Sequence, residues 1–99
     1  MTKILYNNCY GGFGLSKEAL AMYKQKAGID PDTRVYHWDI DRADPILIEA
    51  VETLGLELSG DRCSRLAIRE VPSGVKYRID EYDGNEAVMT IDEYDWKVA

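Results

Sequence analysis

The sequence predicts an α+β fold: two helices packed on one face of a mostly antiparallel, three- to five-stranded sheet. Three observations predict it. Two amphipathic helices with start and stop signals lie within the first 55 residues. The last third alternates apolar and polar side chains and contains a hairpin turn. A short apolar strand begins almost at the first residue. The implied order is strand, helix, optional strand, helix, then three strands, in a single domain over residues 1–99.

Lys3 to Tyr6 reads as a buried strand. The run Asn7-Asn8-Cys9-Tyr10-Gly11-Gly12-Phe13-Gly14-Leu15 cannot continue it, with three glycines in four positions. Ser16 then caps a helix, with Glu18 in its positive first turn. Leu15, Ala19, Met22, Tyr23 and Ala27 form its apolar stripe, and Gly28 stops it. Asp30-Pro31-Asp32 is turn chemistry. Val35, Tyr36 and Trp38 suggest a strand over 34–38, with Tyr36 and Trp38 in the core or an oligomer interface. Asp44 caps the second helix and Pro45 takes its first position. Leu47, Ile48, Val51 and Leu54 form the stripe, and Gly55 ends it. Residues 56–64 read as a loop or short turn. Strands follow over Arg65–Val71, Val75–Tyr82 and Glu86–Ile91, the last two joined by Asp83-Gly84-Asn85. Residues 92–99 read as a short acidic tail that Tyr94 and Trp96 tie down.

Twelve basic and eighteen acidic side chains give a net charge of −6. Residues 1–78 balance, so the whole excess falls in residues 79–99. Such a face repels phosphate backbones and argues against direct nucleic-acid binding. It serves either as a solubilising edge or as a patch that docks on a basic partner, as a nucleic-acid mimic does. Apolar residues at 45% and charged residues at 30% are those of a globular domain. No apolar run approaches the ~18 residues a membrane span needs, and Met1 to Asn7 is too short and polar for a signal peptide. The expected location is cytoplasmic, with Cys9 and Cys63 as free thiols. The alternative is a disulfide between them. Without CxxC and with one histidine, a cysteine–histidine metal site lacks ligands.

The strand, glycine loop and capped helix form one unit. Helix N-termini carry unpaired N–H groups and partial positive charge, and glycines let a ligand approach the backbone. The unit therefore reads as a phosphate cradle. Backbone N–H groups of Gly11, Gly12, Phe13, Gly14 and Ser16 would hold phosphate. Asn7 and Asn8 would bond base or sugar, and Tyr10 or Phe13 would stack on a ring. Arg42 would supply a second phosphate contact; its alternative is an ion pair with Asp39 or Asp44. The competing reading of the loop is a tight strand-to-helix turn with Tyr10 and Phe13 as core. Neither a Walker A lysine nor a complete dinucleotide fingerprint is present, so no cofactor is implied. Asp39, Asp41 and Asp44 are spaced like a metal loop, but the glycine and distal glutamate of an EF-hand are missing. Cys9, His37 and Asp39 offer a nucleophile, base and orienter without a local signature, so catalysis is not expected.

The run Asn8-Cys9-Tyr10-Gly11-Gly12-Phe13-Gly14-Leu15-Ser16 resembles the opening of a family of small phage and prophage proteins. Arg42-Ala43-Asp44-Pro45 and Glu81-Tyr82-Asp83-Gly84 fit the same pattern, so the resemblance runs over most of the chain. After the hairpin, Asn85-Glu86-Ala87-Val88 lacks the aromatic residue the pattern carries there. The resemblance implies viral origin and action in an infected bacterial cell. It implies a protein that binds something the host uses in defence. One class of such proteins sequesters nucleotide-derived immune signals between subunits; another covers a host protein. The expectation is a homo-oligomeric, non-catalytic protein holding a nucleotide or cyclic oligonucleotide. The alternatives are an acidic inhibitor of a host defence protein and a small Cys/His enzyme.

Overall fold

The computed structural model describes residues 1–90. The expected acidic tail over 92–99, and the last residue of the expected final strand, Ile91, lie outside the described residues. The mixed α+β class holds. The described residues hold four strands: β1 (Thr2–Asn7), β2 (Leu66–Val71), β3 (Tyr77–Tyr82) and β4 (Asn85–Thr90). The helices are α1 (Lys17–Ala27), α2 (Pro45–Leu54) and a single turn, α3 (Leu56–Ser59).

The helix ends follow their capping residues. The Ser16 hydroxyl accepts from the Ala19 N–H at 3.1 Å, and the Asp44 carboxylate accepts from Ile46 N at 2.8 Å. Gly28 closes α1 with φ 73°, a left-handed conformation that a side chain would resist. The α2 stripe delivers Leu47, Ile48 and Val51 to a core shared with Leu5, Leu15, Ala19, Ile40 and Leu66. Burying each large aliphatic side chain there contributes about 1.5–3 kcal/mol.

The strands divide into two antiparallel ribbons, β1–β2 and β3–β4. The reason lies in β1, where Ile4 and Leu5 are both fully buried although a strand points them in opposite directions. Leu5, with Ile68 opposite, faces the helices. Ile4 turns to the other face, where Val71, Val88 and Ile79 join it in a second cluster. The hairpin thus packs over the far face of the first ribbon. Arg69 helps fix it there by donating to the Val88 carbonyl. The β1–β2 register runs from Thr2 opposite Val71 to Asn7 opposite Leu66.

Two local expectations are corrected. Residues 34–38 form no strand; His37–Asp39 is one 3-10 turn, closed by Asp39 N donating to Tyr36 O. The β propensity of Val35, Tyr36 and Trp38 finds no neighbouring strand among the described residues, and Ile40 anchors the segment in the core instead. Tyr36 and Trp38 are not core: both are exposed and stack on each other at 4.5 Å. Within 56–64 the chain makes α3, whose Ser59 hydroxyl bonds the Gly55 carbonyl at 2.7 Å.

Candidate functional site

The glycine loop links β1 to α1 and lies between two other segments of the chain. On one side runs 58–65. Asn8 N donates to Arg65 O, Leu15 bridges Gly60, and Ser16 N donates to Ser59 O. The Gly14 carbonyl accepts from the Ser64 hydroxyl at 2.9 Å. On the other side is the β3–β4 turn. Asp83 and Gly84 have φ 50° and 87°, the left-handed pair of a two-residue hairpin. A Cβ on Gly84 would meet the Tyr10 carbonyl and Gly12 N, so only glycine lets the turn seat on the loop.

Asn7 holds the three segments together. Its side chain is fully buried. Its Nδ2 donates to Cys9 O at 2.7 Å and Gly84 O at 2.8 Å, while Oδ1 accepts from Arg65 N at 2.8 Å. The Cys9 thiol adds a contact to the same oxygen at 3.3 Å. The Asn7 backbone N–H donates to Glu86 Oε1 at 2.9 Å. This amide is engaged within the chain on both ends, which corrects the expectation that it reads a base or sugar.

Arg42 is corrected likewise. Neither Asp39 nor Asp44 is its partner. Its guanidinium bonds both oxygens of Glu86, at 2.7 and 3.0 Å, and lies 3.4 Å from the centroid of the Phe13 ring. Side chains of both ions are mostly buried, and the bidentate geometry is the strong form of such a pair. One face of Phe13 is therefore covered by Arg42, and the ring also abuts His37 at 5.7 Å. The structure thus gathers Asn7, Phe13, Arg42 and Glu86 into one structural knot. Glu86 was missed by sequence reasoning. Its one signal is a carboxylate two residues before Val88, on the buried face of an alternating strand.

The glycines have chain neighbours where a ligand was expected. A Cβ on Gly11 would overlap the Cys63 carbonyl, and one on Gly14 would overlap the Asp61 carboxylate. Ser16 Oγ donates to Leu58 O at 2.7 Å as well as capping α1. Gly12 differs: its φ is 91° and nothing among the described residues lies within 4 Å of its missing Cβ. Asn8 and Tyr10 are exposed. They border an open groove of about 330 Å³ whose other walls are Asp80, Glu81, Tyr82, Asn85, Glu86 and Ala87. Tyr10 is 65% and Tyr82 78% exposed. Glu81 stands opposite Glu86 across the ribbon, so the groove floor is acidic even with Arg42 holding Glu86.

The other constellations do not assemble. Cys9 directs its thiol to Asn7 and to Cys63 O at 3.2 Å, whereas His37 packs against Phe13 and Trp38. Asp41 caps the Ala43 N–H and Asp44 caps α2. No three acidic, histidine or cysteine side chains among the described residues gather as a metal site. No helix among them is long and apolar enough to cross a membrane. No family model, characterised protein or solved structure matches the chain.

Proposed function

We propose that the protein is a non-catalytic binding protein that docks a cationic segment of a protein partner in the groove between the glycine loop and the β3–β4 hairpin. The observation that carries this reading is the groove itself, with two exposed tyrosines and Glu81 beside Asp80 and Glu86, which already hold Arg78 and Arg42. Carboxylates attract Lys and Arg, and tyrosine faces hold the same cations by cation–π contact. Exposed aromatic side chains are also frequent anchors of protein interfaces. The phage-family resemblance supports a setting for it: a viral protein in the cytoplasm of an infected bacterium, covering a host defence protein.

A second reading, sequestration of a nucleotide or cyclic oligonucleotide, retains the support of Gly12. Its open backbone beside the exposed Tyr10 ring leaves room for a phosphate and a stacked base. The surrounding carboxylates weigh against that reading, as does the engagement of Arg42 by Glu86.

Isothermal titration with an arginine-rich hexapeptide tests the proposal. Binding that weakens as salt rises, and that Glu81→Lys with Tyr82→Ala removes from a still-folded protein, supports it. Equal heat with a glutamate-rich peptide, or no heat with either, refutes it.

A further inference from the structure

Cys9 and Cys63 are the chain's two cysteines, and both are free thiols. They stand 54 residues apart in sequence, one on the glycine loop and one on the 58–65 segment. The fold brings them together. Cys9 Sγ donates to the Cys63 carbonyl oxygen at 3.2 Å. That oxygen is two bonds from Cys63 Cα, so the first thiol lies within a side chain's length of the residue that carries the second.

The approach is held from both segments. Asn8 N donates to Arg65 O at 2.7 Å, and Arg65 N donates to Asn7 Oδ1 at 2.8 Å. The Cys9 carbonyl accepts from Asn7 Nδ2 at 2.7 Å, and Cys63 N donates to Asp61 Oδ1 at 2.9 Å. Gly11 makes room between them. A Cβ there would overlap Cys63 O and come within 3.1 Å of Cys63 Cα, so the missing side chain lets the Cys63 backbone lie against the loop. Cys9 is half-buried, whereas Cys63 is exposed. A disulfide needs Cα atoms about 4.4–6.8 Å apart. Rotation about χ1 of the exposed Cys63 is the movement that turns its sulfur towards Cys9.

We propose that Cys9 and Cys63 form a redox modification site, which a small-molecule disulfide of the glutathione class closes into an intramolecular disulfide. Cys63, the exposed thiol, meets the oxidant first. Its sulfur attacks one sulfur of the small disulfide. The S–S bond breaks, and its electron pair leaves on a thiolate that takes up the Cys63 proton. The Cys9 sulfur then attacks Cys63 Sγ in the mixed disulfide, and the second small thiol departs with the Cys9 proton. Two protein thiols are oxidised and one small disulfide is reduced to two thiols. The structure is that of the open, reduced form. The closed form staples the glycine loop to the 58–65 segment. A cross-link between residues so far apart in sequence restricts the unfolded chain, so closure also stabilises the fold. Neither cysteine lines the groove between Tyr10 and Tyr82, so the site does not rest on the cationic-partner reading.

Incubation in glutathione buffers, from fully reduced to fully oxidised, tests the proposal, with acid quenching and intact mass measurement. The expected product is a single chain lighter by two hydrogen atoms, whose digest links the Cys9 and Cys63 peptides. In urea the ratio of closed to open chain in the same buffer should fall by about tenfold or more, because the fold supplies the proximity. Cys9→Ser, checked as folded by circular dichroism, should stop at one glutathione adduct on Cys63. A wild type that keeps both thiols in oxidised glutathione overturns the proposal. So does one that retains glutathione adducts without closing, or that links chain to chain instead. Closure as complete in urea as in the folded protein overturns it as well, and so does a folded Cys9→Ser that takes up no glutathione.

Discussion

Asn7→Ala and Asn7→Asp measure how far the glycine loop depends on one amide. Asn7→Ala removes three firm hydrogen bonds, to Cys9 O, Gly84 O and Arg65 N, from a fully buried site. At about 1 kcal/mol net for each bond, the expected loss is about 3 kcal/mol. That is a large share of the roughly 5–15 kcal/mol that holds a domain of this size together. Asn7→Asp keeps nearly the same shape and still accepts from Arg65 N. It also sets a carboxylate oxygen against two carbonyl oxygens, so at about pH 7 it should cost more than Asn7→Ala. Protonation restores one donated bond, so folding raises the pKa of the introduced carboxyl above its unfolded value of about 4. The variant's stability is therefore highest below that unfolded value and falls as pH rises through the folded pKa. Urea unfolding at about pH 4 and pH 7, with unchanged slope, reads the effect directly. Variants within ~0.5 kcal/mol of wild type, or an Asn7→Asp midpoint no lower relative to wild type at neutral than at acidic pH, would refute the reasoning.

Gly11→Ala forces a Cβ into the Cys63 backbone and should cost about 2 kcal/mol or more in thermal or urea unfolding. Gly14→Ala meets the Asp61 side chain, which can rotate away, so its loss should be smaller. Alkaline pH should destabilise the fold. Burial and Asp44 raise the pKa of Tyr23, burial and Asp41 raise that of Tyr77, and the Glu52 carboxylate raises that of Lys3. Stability from a raised pKa is complete below the unfolded value and lost as pH climbs through the folded one. Unfolding midpoints should therefore fall above about pH 10, and tyrosinate absorbance should show Tyr23→Phe removing a late-titrating group.

The helices and the hairpin were legible because their signals are local. Ser16, Asp44, Pro45 and Gly28 act within a turn of where they stand, and Asp83-Gly84 carries the positive φ values its turn needs. The division into two ribbons was not legible, because it depends on Ile4 meeting Val71 and Val88 far along the chain. The Arg42–Glu86 pair has the same origin: two residues 44 apart with closer acids available in sequence. Asn7 left no signature, since its partners are mostly backbone atoms. The glycines were read for the right property, room for a close neighbour. At Gly11 and Gly14 that neighbour belongs to the chain itself, whereas at Gly12 the room remains.

Native mass spectrometry against a mixed panel of mono-, di- and cyclic nucleotides and an arginine-rich peptide tests the central claim, that the acidic groove and not a phosphate cradle is the binding surface. The account predicts retention of the intact peptide, loss of that adduct with Glu81→Lys and Tyr82→Ala, and no nucleotide adduct. A nucleotide held in preference to the peptide would contradict it and return the site to Gly12 and Tyr10.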